Sequence, residues 1–247
     1  MRRADAVFSP DGRFIVGLAK RRLEIFDQKT FERRQQISSA YDLFDSVLFS
    51  PDGGRLLVRR STNVVELRNV RREWDVDGLW ELSSPGQRFA FSHDGKYLAA
   101  TCSDRSVALF DVRGKRPLHE LRRPDILTSP IAWPLIWIPK SHIVAIGGGE
   151  PVVHLWNVDT GTVQVLNPGA GNTWALAASP DGKTLAAGTQ DGFIKLINLA
   201  TLREIATLRG HLTIIQRMEF SPDGAMLISY GGEGIRLWRA ARENEER

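Results

Sequence analysis

The chain has 247 residues, of which 42% are hydrophobic, and its formal net charge is only +4. A charge this small does not favour a nucleic-acid binder. A single cysteine, Cys102, excludes an internal disulfide and fits a reducing, cytoplasmic compartment. The basic start leads into no apolar run, so we expect no secretory signal. No spanning helix is predicted either, because the most apolar stretch, residues 126–149, is broken by Pro130, Pro134, Pro139 and Lys140.

A five-residue motif recurs along the chain at a nearly constant step. Five clear copies, each continuing as Ser, then Pro or His, then Asp-Gly, begin at Phe8, Phe49, Phe91, Ala178 and Phe220. A divergent copy, Trp-Ile-Pro-Lys-Ser, occupies residues 137–141, and the successive steps are 41, 42, 46, 41 and 42 residues. A repeat of this length predicts one supersecondary unit used six times, as in a propeller or a solenoid.

The fifth copy shows the elements of one unit most clearly. Apolar runs at 174–178, 184–189 and 193–198 are separated by Ser-Pro-Asp-Gly at 179–182 and by Gln-Asp-Gly at 190–192. Short apolar runs bounded by Pro, Asp and Gly are typical of antiparallel strands joined by tight turns. Pro presets φ, Asp can bond its own backbone and Gly accepts a positive φ. We therefore interpret Ser-Pro-Asp-Gly as a hairpin turn rather than as a phosphosite or an anion site.

The third apolar run of each unit ends in a characteristic residue pair. These pairs are Phe26-Asp27, Arg68-Asn69, Phe110-Asp111, Trp156-Asn157, Ile197-Asn198 and Trp238-Arg239. Together with the repeat length, they resemble the WD-repeat β-propeller family, whose third strand ends in Trp-Asp, although no pair here is a literal Trp-Asp. The family's Gly-His before the first strand survives only at Gly210-His211. The resemblance covers residues 4–239 and implies an all-β propeller of six WD-like repeats with four-stranded antiparallel blades.

The strand count of the predicted propeller is one short. We predict a single domain over residues 1–239 and a charged tail over 240–247, the units spanning approximately 4–41, 42–86, 87–129, 130–171, 172–212 and 213–239. The first unit opens on its first strand and the last ends on its third, so 23 strands are expected and the last blade lacks its fourth. We favour a closed six-bladed ring over a longer propeller missing a seventh unit, because an open ring leaves a bare strand edge.

Four residues of the last repeat match a structural motif of the resembled family. His211, Ser229, Glu233 and Trp238 correspond in order to its hydrogen-bonded tetrad. Ser, His and an acid are also the components of a hydrolase triad. We favour the structural interpretation, because the positions recur with the repeat and no nucleophile elbow accompanies them.

No catalytic, cofactor-binding or metal-binding residues are predicted. The five histidines scatter over four units, and no His-x-His, Cys-x-x-Cys or His-Glu-x-x-His occurs. Residues 182–184 imitate the end of a P-loop, but Ala177 stands where the first glycine of that motif belongs. The acids of the first strands, Asp5, Asp45 and Glu219, are too scattered to suggest a metal in a central channel. We therefore predict that the chain is not an enzyme.

One face of the predicted disc divides by charge. Loops of the first three units carry the arginines that we call the basic patch: Arg21, Arg22, Arg59, Arg60, Arg105, Arg122 and Arg123. The last three units offer acids there: Glu150, Asp191 and Glu233. Arginine suits bidentate contacts with carboxylate or phosphate, so the patch predicts an acidic or phosphorylated partner segment. Solvated charges without a partner fit the pattern equally well.

Two tryptophans are candidate anchors for a partner. Trp133 lies in an irregular, proline-rich stretch of the fourth unit, and Trp80 precedes the third unit's first strand. Exposed tryptophan marks docking sites, although burial in the core is the commoner fate of either residue.

The resemblance implies a non-enzymatic scaffold for protein–protein interaction, a monomeric propeller within a complex whose partners are other proteins. Anion or nucleic-acid binding through the basic patch is the alternative, less favoured because those loops lack stacking aromatics. A channel-centred hydrolase and a sensor module of a larger multidomain protein are the remaining hypotheses.

Overall fold

The protein folds from strands and turns. The computed structural model describes residues 6–19, 21–40, 43–60, 63–82, 84, 86–104, 106–114, 116–122, 134–149, 151–169 and 171–239. Within these ranges there are 23 strands in six antiparallel sheets and no helix, which confirms the predicted all-β class and the strand count. None of the described residues forms a helix long and apolar enough to cross a bilayer.

The chain divides into two compact units, Met1–Leu121 and Arg122–Arg247. The first unit contains three four-stranded sheets, each with its strands in chain order or the reverse of it. The first sheet is β1 (Ala6–Phe8), β2 (Phe14–Ala19), β3 (Arg22–Asp27) and β4 (Arg33–Ser38). The second sheet is β5 (Phe44–Phe49), β6 (Arg55–Arg60), β7 (Val64–Asn69) and β8 (Asp75–Glu81). The third sheet is β9 (Gly86–Phe91), β10 (Tyr97–Cys102), β11 (Ser106–Asp111) and β12 (Arg116–Arg122).

The second unit contains the remaining three sheets. The fourth sheet is β13 (Leu135–Trp137), β14 (Ile143–Ile146), β15 (Val153–Asn157) and β16 (Val163–Leu166). The fifth sheet is β17 (Thr173–Ala178), β18 (Thr184–Thr189), β19 (Phe193–Asn198) and β20 (Arg203–Arg209). The sixth sheet has three strands among the described residues, as the sequence predicts: β21 (Ile215–Phe220), β22 (Met226–Gly231) and β23 (Gly234–Arg239).

The Ser-Pro-Asp-Gly segments and the Ser-His-Asp-Gly copy are hairpin turns that satisfy their own polar groups. In the first turn the Ser9 hydroxyl donates to Asp11 over 2.6 Å and accepts the backbone N–H of Phe14 over 2.9 Å. The other four clear copies repeat both contacts with nearly the same distances. The serine hydroxyl is the main reason why the pKa of Asp11 lies below its usual value, and the same holds in three other turns. The hairpin interpretation is confirmed.

Apolar cores form between neighbouring sheets inside each unit. Successive strand residues point to opposite faces, so Leu56 and Val58 pack toward the first sheet, whereas Leu57 packs toward the third. Trp80 is buried in the core between the second and third sheets, where it stacks on Phe110 with ring centroids 4.9 Å apart. Trp80 is therefore a core residue and not an exposed anchor. In the second unit, separate cores join the fourth sheet to the fifth and the fifth to the sixth.

Candidate functional site

The tetrad residues of the sixth sheet form one hydrogen-bonded chain. His211, in the loop between β20 and β21, places its Nδ1 2.5 Å from Glu233 Oε1 and its Nε2 2.6 Å from Ser229 Oγ. Trp238 of β23 donates its indole N–H to the same serine oxygen over 2.8 Å. A carboxylate can only accept, so Nδ1 donates to Glu233. These hydrogen bonds connect the β20–β21 loop to both β22 and β23.

Burial decides between the structural and the catalytic interpretation of the tetrad residues. Ser229 has no exposed surface, and its oxygen is held between His211 and Trp238. A nucleophilic serine must be open to a substrate carbonyl, and the Ser229 hydroxyl is enclosed within the protein. The arrangement therefore fits a structural role and not a hydrolase triad. We call His211, Ser229, Glu233 and Trp238 the loop clamp, because their hydrogen bonds hold the β20–β21 loop.

Glu233 also stabilises the loop directly. Its carboxylate accepts the Thr213 hydroxyl over 2.7 Å and the backbone N–H of Leu212 over 3.0 Å. The Thr213 contact contributes most, followed by backbone N–H groups and His211, and together they lower the pKa of Glu233 from 4.5 to about 2. The clamp is thus complete only while this carboxylate is ionised.

We expect acid to release the clamp. Because the folded-state pKa of Glu233 is depressed, its contribution to stability is present above about pH 4.5 and is lost as the pH falls toward about 2. The stability difference between the native protein and Glu233→Gln should therefore shrink between about pH 6 and about pH 2 in urea titrations. Comparison with the variant cancels the acid sensitivity of the turn aspartates. A difference that stays constant with pH would contradict this role of Glu233.

The structure describes only part of the basic patch. Arg21 lies in the exposed turn between β2 and β3, and Arg22 is the exposed first residue of β3. The Arg21 guanidinium donates to the backbone oxygen of Ala40 over 3.2 Å. This contact anchors one of two adjacent arginines while both remain accessible to solvent.

The prediction that Arg59 and Arg60 lie in a loop is wrong. Both belong to β6, because the ladder with β7 continues to Arg59 opposite Val65. The strand sends the two side chains to opposite faces: Arg59 pairs with Asp45, and Arg60 pairs with the buried Glu66. Their guanidinium groups contribute to the second sheet, so these two arginines are poor candidates for binding a partner.

The remaining members of the predicted surface cannot be placed. Arg105, Arg123 and Trp133 lie outside the described residues, and so does Glu150. Arg122 ends β12, of which only the backbone is described at that position. The basic patch as a whole stays a prediction.

The second sheet contains a buried ion-pair cluster that the sequence did not predict. Glu66, with 1% of its side chain exposed, accepts the Arg68 guanidinium over 2.7 Å as well as that of Arg60. Arg68 in turn donates to the backbone oxygen of Trp74 over 2.9 Å. The available signal was a glutamate inside the apolar run of β7, a position where an unpaired carboxylate would be costly.

A pocket of about 330 Å³ lies between the turns of the first two sheets. It is lined by Asp11, Arg13, Phe14, Asp52, Gly53, Val70 and Arg71. Opposite charges share its wall, so its electrostatics select neither an anion nor a cation. Among the residues that the structure describes, no three His, Cys, Asp or Glu side chains are grouped to hold a metal ion.

Comparison with known proteins matches the repeats to one family model. The model described as WD domain, G-beta repeat matches residues 87–111, 162–198 and 202–239. These matches cover most of the third, fifth and sixth sheets. The first and second sheets and most of the fourth sheet lie outside the matched residues.

Of three similar proteins, one carries a WD-repeat name. WD repeat-containing protein SL1-17 of Schistosoma mansoni is 30% identical over 139 residues, which cover 55% of this chain and 44% of that protein. The Protein LST8 homolog of Drosophila pseudoobscura pseudoobscura is 27% identical over 62% of this chain and 51% of its own length. The U3 small nucleolar RNA-associated protein 15 homolog of Xenopus tropicalis is 25% identical over 60% of this chain and 28% of its own length. The chain thus spans about half or less of these relatives. With the repeats, the turns and the tetrad geometry, the matches support a WD-repeat family for this chain.

Proposed function

We propose that this protein is a non-catalytic scaffold that binds other proteins, acting as a monomer in cytoplasmic complexes. WD-repeat proteins are generally non-catalytic. Similar repeats occur in proteins named for small nucleolar RNA association and as a transcription factor. One fold with unlike roles is what an interaction platform offers. Cys102 is buried and is the single cysteine of the chain, which agrees with a reducing compartment.

The observation that carries this proposal is the burial of Ser229. The Ser, His and acid set that gave the chain a catalytic alternative is fully engaged in holding a loop. A partner can therefore contact this protein through its exposed side chains. This leaves binding as the function that the geometry supports best.

We assign the contact with an acidic or phosphorylated partner to Arg21 and Arg22. The two residues are neighbours in the sequence and exposed at one strand end, and the Ala40 contact limits the mobility of the Arg21 side chain. Charge-assisted hydrogen bonds to carboxylate or phosphate are each worth about 1.5–3 kcal/mol.

We expect Arg21→Glu/Arg22→Glu to weaken binding of an acidic or phosphorylated segment by at least about tenfold. The protein is screened against acidic and phosphorylated peptides, and the affinity of each binder is measured for both forms. Arg71→Glu/Arg72→Glu is the matched control, since it reverses the same two charges in the exposed turn at the opposite strand ends.

The outcomes separate the site from the function. Equal affinity for both variants would place the contact elsewhere on the protein. If the protein isolated from its own cells co-purifies with no other protein in stoichiometric amount, the scaffold function itself is overturned.

A further inference from the structure

The pocket between the first two sheets is enclosed by three turns of one compact unit. It lies among the β1–β2, β5–β6 and β7–β8 turns, and every residue that lines it belongs to the first unit. A Cβ added to Gly53 of the second of these turns would lie 3.6 Å from Pro10 of the first, so the two turns are in contact. The shape of the pocket therefore depends on neighbouring sheets within that unit.

The pocket has room for a small molecule and an apolar surface to receive it. Its volume of about 330 Å³ is at the lower end of the range for small-molecule sites. Phe14 and Val70 line it and are half-buried. An edge contact with Trp74, with ring centroids 5.2 Å apart, holds the Phe14 ring in place. An apolar side chain of moderate size can pack on these two residues.

Both carboxylates of the pocket keep one oxygen available to a ligand. Asp52 Oδ1 accepts the Ser50 hydroxyl over 2.6 Å and the Gly54 N–H over 3.0 Å, whereas none of the described residues donates a hydrogen bond to Asp52 Oδ2. Asp11 repeats this arrangement, except that its Oδ2 lies 4.0 Å from the Arg13 guanidinium. The serine of each turn is the main reason why the pKa of its aspartate is lowered, so both carboxylates are ionised at neutral pH.

The second turn lacks the cation that other turns place beside their aspartate. The residue after Asp-Gly is basic in three of the other clear copies: Arg13, Lys96 and Lys183. In the second copy it is Gly54. Two more distant arginines, Arg71 and Arg55, still lower the pKa of Asp52. Arg55 is already engaged, since it pairs with Asp77 over 3.2 Å.

Arg71 supplies the opposite charge of the pocket. It is exposed in the β7–β8 turn, where its backbone N–H is bonded to Asn69. Within the part of the chain that the structure describes, its guanidinium forms no hydrogen bond and no ion pair within 4.0 Å. Asp52 and Arg71 therefore line one space as an ion pair that is not closed. A ligand that carries both an ammonium and a carboxylate group can complete both halves of it.

We propose that this pocket binds a free α-amino acid with an apolar side chain. The ammonium group of the ligand donates to Asp52 Oδ2, and its carboxylate accepts hydrogen bonds from Arg71. Charge-assisted hydrogen bonds of this kind are short and directional, so together they orient the ligand. Its side chain packs on Phe14 and Val70. A ligand with only one of the two charges leaves half of the ion pair open.

Capped ligands test the requirement for both charges. The full-length protein is titrated by calorimetry with L-valine, L-methionine and L-phenylalanine, and with the N-acetyl and the C-terminal amide form of each. We expect saturable binding of at least one free amino acid and at least about tenfold weaker binding of both its capped forms, since each has lost one charge. No saturable binding of any free amino acid up to about 10 mM, or a capped form that binds as tightly as its parent, overturns the proposal.

Substitutions locate the two charges. Asp52→Asn and Arg71→Gln should each weaken binding by about tenfold or more. Gly54→Lys should weaken it too, because the new ammonium group would lie beside Asp52 as Lys183 lies beside Asp181.

Asp223→Asn is the matched control. Asp223 has the same place in the sixth sheet's turn, where Ser221 donates to it over 2.5 Å, and it does not line the pocket. This variant should bind the amino acid like the native protein. Equal loss in Asp52→Asn and Asp223→Asn would show that the substitution acts through the turn and would overturn the proposal.

The two arginine pairs exchange roles in this experiment. Arg71→Glu/Arg72→Glu should abolish amino-acid binding, and Arg21→Glu/Arg22→Glu should leave it unchanged. A short peptide with one basic and one acidic side chain that binds where no free amino acid does would show that the pocket receives a partner segment, which overturns the proposal. The sites share no residue, so either assignment can fail while the other stands.

Discussion

Glu66→Gln will lower the free energy of unfolding by about 3 kcal/mol. Glutamine keeps the shape of the side chain and removes the charge that holds the Arg60 and Arg68 guanidinium groups. Removing one partner of a buried ion pair costs about 3–5 kcal/mol, because the remaining charge stays away from water. The lower end applies here, since 28% of the Arg60 side chain is exposed. The measurement is urea-induced unfolding followed by tryptophan fluorescence.

Glu24→Gln provides the control for this experiment. Glu24 also pairs with an arginine, Arg33, but over 3.4 Å and with half of the Arg33 side chain in water. Exposed pairs contribute about 0–1 kcal/mol. Similar losses for the two variants would show that the buried cluster does not stabilise the second sheet.

Gly182→Ala is the second large effect that we expect. Gly182 closes the turn between β17 and β18 with φ +75°, and a Cβ there would lie 2.3 Å from the backbone oxygen of Pro139. An alanine must therefore adopt the left-handed conformation. It must also displace the backbone of Pro139, which is less free to move than a side chain. We expect a loss of about 3 kcal/mol or more, the sum of about 1–2 kcal/mol of conformational strain and about 1–3 kcal/mol of overpacking.

Gly161→Ala separates the two contributions. Gly161 has nearly the same φ, +71°, but no atom lies within 4 Å of the Cβ that alanine would add. Its loss should be the conformational strain alone, about 1–2 kcal/mol. Thermal or urea denaturation of both variants gives the comparison, and equal losses would mean that the turn relaxes away from Pro139.

Local chemistry is why so much of the fold could be predicted from the sequence. The turn at Ser179–Gly182 uses contacts among neighbours in the chain, so its residues identify it without knowledge of the tertiary structure. Its near-constant recurrence then sets the number of strands. The tetrad was predicted in a different way, from the family resemblance, because His211, Ser229, Glu233 and Trp238 match in order the positions of its structural motif.

The ion pairs could not be predicted, because they depend on which strands meet and in what register. Arg59 and Arg60 are adjacent in the sequence and suggested one charged surface. In the sheet their side chains point to opposite faces and meet Asp45 and Glu66, which come from two different strands. The burial of Trp80 agrees with the fate that the sequence favours, but its stacking on Phe110 of the neighbouring sheet depends on which sheets meet.

The self-contained turns also explain how the repeats tolerate change. The serine and aspartate contacts of a turn span at most six residues, so one copy can diverge without disturbing the others. The fourth sheet shows this, since β13 and β14 pair although Lys140 occupies a left-handed position with φ 61° and Ser141 bonds back to Ile138 instead. Each hairpin turn therefore depends mainly on its own residues. The sheets can form even where the Ser-Pro-Asp-Gly motif has been lost.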